Sequence, residues 1–195
     1  MTIAFDSSCW QSLRATYDAW WKHELDRPLI HLTLHGAPSD RAPSAAPSYR
    51  FTARYPLETP ADDIVDAWDY HLSTQRYLGD AFPSIWPNFG AGVCAAFLGA
   101  DLQAREETVW FHPETIEDID RLHLPFRENN RWRTRIEEIY RAGFERWEGL
   151  VQMSMTDLGG SLDVVSSFRP SEHLLLDLCT APEEVKRVNW EVHEA

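Results

Sequence analysis

Met153-Ser-Met-Thr-Asp-Leu-Gly-Gly-Ser-Leu-Asp-Val-Val-Ser-Ser-Phe-Arg169 is the stretch whose reading decides the fold. The apolar run Leu150–Met155 reads as a strand. It closes on Thr156 and Asp157, breaks at Gly159-Gly160, and passes at once into a helical pattern. In α/β proteins the ligand sits beyond the carboxyl ends of strands, where the chain turns into the next helix. Two polar side chains at a strand end, followed by two glycines that let backbone approach a ligand, fit that position. The same residues also build an ordinary βα turn in which Asp157 is only a cap, and both readings stand at this point.

Outward from that stretch, the order strand, helix, strand, helix repeats. A helix is expected over Ser8–Leu25, with Trp10, Leu13, Tyr17, Trp20, Trp21 and Leu25 at helical spacing and Ser7 or Ser8 as its cap. Leu29–His35 alternates as a strand does, with Ile30, Leu32 and Leu34 on one side and His31, Thr33 and His35 on the other. Gly36–Pro47 reads as an exposed loop. A second helix is expected over Asp62–Tyr77, a short strand over Phe82–Trp86, and a small-residue helix over Ala91–Leu98 ended by Gly99. Gln103–Phe111 has strand character. Asn130–Trp147 carries the clearest helical stripe, with an i,i+4 ladder of Arg133, Glu137, Arg141 and Glu145 on another face. One or two helices reach Cys179, and a last helix begins at Pro182, where Glu183 and Glu184 suit the dipole. This order argues for parallel strands joined by crossover helices in one α/β domain over residues 1–195, with the strands at Leu29–Leu34, Phe82–Trp86 and Leu150–Met155 in one parallel sheet.

Composition narrows the function. With 195 residues the chain has room for a real core, and nine Trp call for burial or for a large site wall. A formal net charge of -13 repels a phosphate backbone, so no nucleic-acid partner is expected. Cys9, Cys94 and Cys179 are widely spaced and form no C-x-x-C, which reads as reduced thiols. No signal peptide or membrane-length apolar run is seen, so a cytoplasmic protein without membrane contact is expected.

Thr156-Asp-Leu-Gly-Gly-Ser-Leu-Asp-Val, then Arg169, then Leu176-Asp-Leu-Cys-Thr-Ala-Pro-Glu-Glu-Val resembles the uroporphyrinogen decarboxylase superfamily, which includes corrinoid-linked methyltransferases. Asp26-Arg27-Pro28 before the first strand is a second match. Trp86-Pro-Asn-Phe-Gly-Ala-Gly-Val running into Leu98-Gly99-Ala100 is a third. The resemblance implies a TIM-type (β/α)8 barrel. Such a barrel takes about 250 residues, so the chain would supply a partial one: an N-terminal helix and the first three to four βα units, truncated at the carboxyl end. It also implies, for the complete protein, lyase or methyltransferase chemistry on a tetrapyrrole, a corrinoid-bound methyl group or a related small acid. The chain alone is expected to be inactive. Zinc or a corrinoid would belong to the complete protein; no cofactor or metal site is identifiable in this chain. Two departures set it apart from a true uroporphyrinogen decarboxylase. Ala53-Arg54-Tyr55-Pro56 lacks the Arg-rich carboxylate-binding pattern. Asn88 stands where those enzymes place an Asp, and an amide cannot be the anionic partner of a developing pyrrolic cation.

The candidate site follows from these motifs. Asp157 and Asn88 are the candidate catalytic residues; Trp86, Thr156, Gly159, Gly160 and Arg169 are the candidates for substrate binding. Arg169 has a rival role in a surface pair with Glu172, and Asp163 is a cap or a partner of Arg169. His31 and His35 on a strand lie roughly 13 Å apart, too far to share a metal, and His173 with Asp177 lacks a third ligand. The alternative to an enzyme is a non-catalytic remnant or subunit that binds a partner chain or itself, because an open half-barrel leaves sheet edges and apolar surface uncovered.

Overall fold

The computed structural model describes residues 3–195. In chain order its elements are α1 (Ser7–Trp21), β1 (His31–Leu34), α2 (Ala61–Ser73), β2 (Arg76–Gly79), β3 (Ser84–Ile85), α3 (Cys94–Leu98), β4 (Asp101–Ala104), β5 (Val109–His112), α4 (Arg131–Trp147), β6 (Gln152–Met153), α5 (Ser161–Phe168), α6 (Ser171–Thr180) and α7 (Pro182–Glu194), with a 3-10 turn at Thr52–Arg54. The fold is therefore mixed α/β. The described strands form three two-stranded sheets, β1–β2, β3–β6 and β4–β5, and no closed barrel. The chain resolves into two compact units. The first holds the chain up to Ser48, Leu57–Trp86 and Glu138–Ser154; the second holds Tyr49–Pro56, Pro87–Glu137 and Met155–Ala195.

In the first unit, α1 is capped by Asp6 and not by a serine. Its carboxylate accepts from the N–H groups of Ser8 and Cys9 at 2.8 and 3.0 Å, which satisfies two of the free donors at the helix start. The second helix stops at Ser73, earlier than its sequence suggests. Thr74 closes it, and residues 76–79 turn back to pair with β1 in an antiparallel register, Leu32 opposite Leu78. Gly79 permits this: it has φ +66, and a Cβ there would lie 2.5 Å from the Ile30 carbonyl oxygen. The first strand is thus not a member of a parallel sheet with the others. The parallel pairing expected of the second and last strands is present, with Ser84 opposite Gln152 and Ile85 opposite Met153.

In the same unit Ile64, Val65 and Leu72 of α2 and Ile139 of α4 are fully or nearly fully buried, each contributing about 1.5–3 kcal/mol of apolar burial. The Pro/Ala/Ser loop is not free. Arg41 pairs with Asp66 and Asp69 of α2, and Asp69 also accepts the Trp147 indole N–H at 2.8 Å. Gly143, in the middle of α4, has a packing reason: a Cβ there would lie 2.4 Å from the Met153 sulfur.

Arg27, of the Asp26-Arg27-Pro28 motif, grips Asp80 with two hydrogen bonds of 2.6 and 2.8 Å, and the Ile30 N–H donates to the same carboxylate at 2.8 Å. The Arg27 guanidinium, then the Ile30 N–H, holds the Asp80 carboxyl down to about 2. The Tyr17 hydroxyl donates to the Asp80 carbonyl at 3.2 Å and meets the His31 ring. The apolar side of the ribbon, Ile30, Leu32, Leu34 and Leu78, is 44–54% exposed.

In the second unit, α5 packs against α3 and α7, and α6 against α7. Val164, Val165 and Val188 are buried at these contacts. The stretch Gln103–Phe111 is a hairpin and not one strand: β4 and β5 pair antiparallel, Leu102 opposite Phe111. Gly99 ends α3 in the left-handed conformation, φ +112. Asn130 caps α4, its Oδ1 accepting from the N–H groups of Trp132 and Arg133 at 2.9 and 3.2 Å.

Candidate functional site

Two glycine turns follow the parallel strands, and both lie in the second unit. After β3 the chain runs Pro87-Asn-Phe-Gly-Ala-Gly92; after β6 it runs Met155-Thr-Asp-Leu-Gly-Gly160. The turns touch. The Val93 N–H donates to the Asp157 carbonyl at 3.2 Å, and a Cβ on Gly159 would lie 2.5 Å from the Gly92 Cα. Gly92 has φ +88 and Gly159 has φ +81, so both backbones suit glycine, and at Gly159 the neighbouring turn also leaves no room for a Cβ. Asn88 and Asp157 play matching local parts. The Gly90 N–H donates to Asn88 Oδ1 at 3.0 Å, and the Gly159 N–H donates to Asp157 Oδ1 at 2.9 Å. Each is an Asx turn, in which a short polar side chain replaces a backbone acceptor. The structure therefore brings Asn88, Asp157, Gly159 and Gly160 into one place. Asp157 Oδ2 makes no hydrogen bond or ion pair among the described residues.

The remaining candidates behave differently. Thr156 is buried beside Asp157. Trp86 closes β3 in the first unit and is half exposed. Arg169 is committed to the fold. Its Nε and Nη2 donate to Asp177 at 2.6 and 3.2 Å, and its Nη1 donates to the Glu117 carbonyl at 2.9 Å. The partner is Asp177, one helix further on, and not Glu172. The bonds to Asp177 raise the guanidinium pKa further. Asp177 is thereby also taken from any pairing with His173. Among the described residues no three His, Cys, Asp or Glu side chains converge on a point that would hold a metal.

A cavity of about 620 Å³ opens elsewhere in the second unit, at the start of α4. None of the seven sequence candidates lines it. Its wall comes from three separate segments: Ala96–Gln103, His112–Glu114 and Arg127–Trp132. Asn130 ties two of these together, its Nδ2 donating to the Ala96 carbonyl at 2.7 Å. Arg131 lies 3.8 Å from Asp101. Arg127 lies against Gly99: a Cβ on that glycine would be 2.6–2.7 Å from Cζ, Nη1 and Nη2 of the guanidinium. In sequence the segment from Arg127 onward reads as a solvated helix face rich in Arg and Glu. The one signal that points further is Asn130, a cap residue directly before a helical stripe.

No family model, no curated protein and no solved structure matches the chain.

Proposed function

We propose that the protein is uroporphyrinogen decarboxylase-like, and that in its complete form it acts on a tetrapyrrole, a corrinoid-bound methyl group or a related small acid by decarboxylase or methyltransferase chemistry. The observation that carries this reading is the pair of touching glycine turns, each of which follows one of two strands paired in parallel. Turns after parallel strands are where α/β enzymes hold their ligands. The close approach of Gly92 to Gly159 keeps side chains away from that point. Asp157 contributes a carboxylate with one oxygen fixed by Gly159 and the other without a protein partner, which suits it to orient a substrate or accept a proton. In this reading the parallel pair β3–β6 belongs to a larger TIM-type barrel, and the antiparallel ribbons β1–β2 and β4–β5 are additions to it.

Asp157→Asn separates function from fold. Asparagine keeps the acceptor for the Gly159 N–H and removes the charge. Binding of uroporphyrin, methylcobalamin and a panel of small carboxylic acids is read by tryptophan fluorescence. At least one of these should bind, and Asp157→Asn should abolish binding with the melting temperature unchanged. If none binds, or if Asp157→Asn binds as the parent does, the reading is wrong.

A second reading, a subunit that associates with itself or with a complementing chain, is favoured by one observation. The apolar face of the β1–β2 ribbon is open, with Leu32 and Leu78 side by side on it. Sedimentation should show association that rises with concentration and is lost in Leu32→Glu. A monomer at all concentrations would leave self-association without support.

A further inference from the structure

The cavity at the start of α4 has a volume within the range of small-molecule sites, roughly 300–1,000 Å³. Two of its charged side chains have no polar partner among the described residues. Among the described residues Arg127 makes no hydrogen bond or ion pair, and neither does Glu114. The other charges of the wall, Arg131 and Asp101, face each other. Arg127 is held in a particular way. Cζ, Nη1 and Nη2 are nearly equidistant from the Cβ that Gly99 lacks, so the guanidinium lies face-on against the glycine backbone. Its face is covered and its donor edge is unused. That edge matches a carboxylate with two parallel hydrogen bonds. The amino end of α4, a 17-residue helix, adds positive potential to the same wall.

Glu114 decides the ligand class. A bare carboxylate, and still more a phosphate, would be drawn by Arg127 and repelled by Glu114, in a chain whose net charge is -13. A molecule with both signs of charge pairs with both side chains. We propose that this cavity binds a small zwitterion carrying a carboxylate and a protonated amine, the chemistry of a free amino acid. Arg127 takes the carboxylate and Glu114 the amine. This site shares no residue with the two glycine turns and stands or falls without them.

The test is calorimetric titration of the protein with each proteinogenic amino acid at pH 7. The best binder is then compared with its des-amino acid and its decarboxylated amine. At least one amino acid should bind with a Kd below about 1 mM, and both counterparts should bind about tenfold more weakly or worse. Arg127→Gln and Glu114→Gln should each weaken the amino acid by about tenfold, with melting temperature changed little, since neither substitution breaks an ion pair or hydrogen bond among the described residues. Glu114→Gln should also narrow the gap between the amino acid and its des-amino counterpart. The proposal is overturned if no amino acid binds, if the des-amino acid binds as tightly, or if either substitution leaves affinity unchanged.

Discussion

Asp80→Asn tests whether the Asp26-Arg27-Pro28 motif is a structural clamp. The Asp80 side chain is 3% exposed, and it receives two N–H groups from Arg27 and one from Ile30. Asparagine can still accept from Ile30 but loses the ion pair. Hydrogen bonds to a charged group contribute about 1.5–3 kcal/mol, and the Arg27 side chain, 44% exposed, places its share at the lower end. The expected loss at pH 7 is about 2 kcal/mol, or roughly 4–8 °C in melting temperature for a chain of this size.

The pH dependence has a definite sign. The carboxyl is held at about 2 in the folded protein against 3.8 for the free group. A depressed carboxyl pKa stabilises the fold fully above the unfolded value and loses that contribution as pH falls through the folded one. Urea unfolding of both proteins at pH 7, 4.5 and 3 should therefore show the full gap at pH 7, nearly all of it at pH 4.5 and about half at pH 3. A gap that is absent at pH 7, or the same at pH 3 as at pH 7, would refute the clamp.

Two further substitutions test packing read from the structure. Asp177→Ala takes from the Arg169 guanidinium, 11% exposed, its two bonds to Asp177 and leaves only the exposed Asp118 at 3.5 Å as a charge partner, and should cost about 3 kcal/mol in chemical denaturation; a neutral result would show that Asp118 and the Glu117 carbonyl suffice to hold Arg169. Gly143→Ala gains about 1 kcal/mol of helix propensity but drives a methyl into the Met153 sulfur, and the net should be a loss of about 1 kcal/mol, measured as a lower melting temperature; a gain would show that Met153 moves aside.

Much of the helical framework was legible because its signals are local. Asn130 before a helical stripe, Gly99 after a short apolar run, and Pro182 followed by two glutamates each mark a boundary that the structure keeps. The β2 strand was not legible, because residues 76 and 77 follow an amphipathic helix without a glycine or proline to end it. The turn of the β4–β5 hairpin was hidden likewise. It is built by the Arg105 N–H donating to the Thr108 carbonyl around two glutamates, with no turn residue to announce it. Alternation grouped Ile30, Leu32 and Leu34 on one face but could not say that water would meet it. At the candidate site, the Asn88 and Asp157 turns were each legible as strand ends, and their contact follows from the parallel pairing of β3 with β6. The Asn130–Ala96 bond, the stacking of Arg127 on Gly99 and the pairing of Arg169 with Asp177 close loops across the chain. No spacing rule reports such closures.

The division of the chain into two units bears on how it is made. The path passes from one unit to the other after Ser48, Pro56, Trp86, Glu137 and Ser154, and one of these passages runs inside α4. No single cut releases either unit whole. Synthesis meets the same constraint. The first unit lacks its last strand until Met153 has left the ribosome, and the second lacks α7 until Glu194 has emerged. Domain-by-domain folding of the growing chain, with the amino-terminal part settling first, is therefore closed to this protein. Until Trp147 and Leu150 have been made, Asp69 of α2 and Trp10 of α1 wait for their hydrogen-bond partners, a period in which chaperone capture competes with folding.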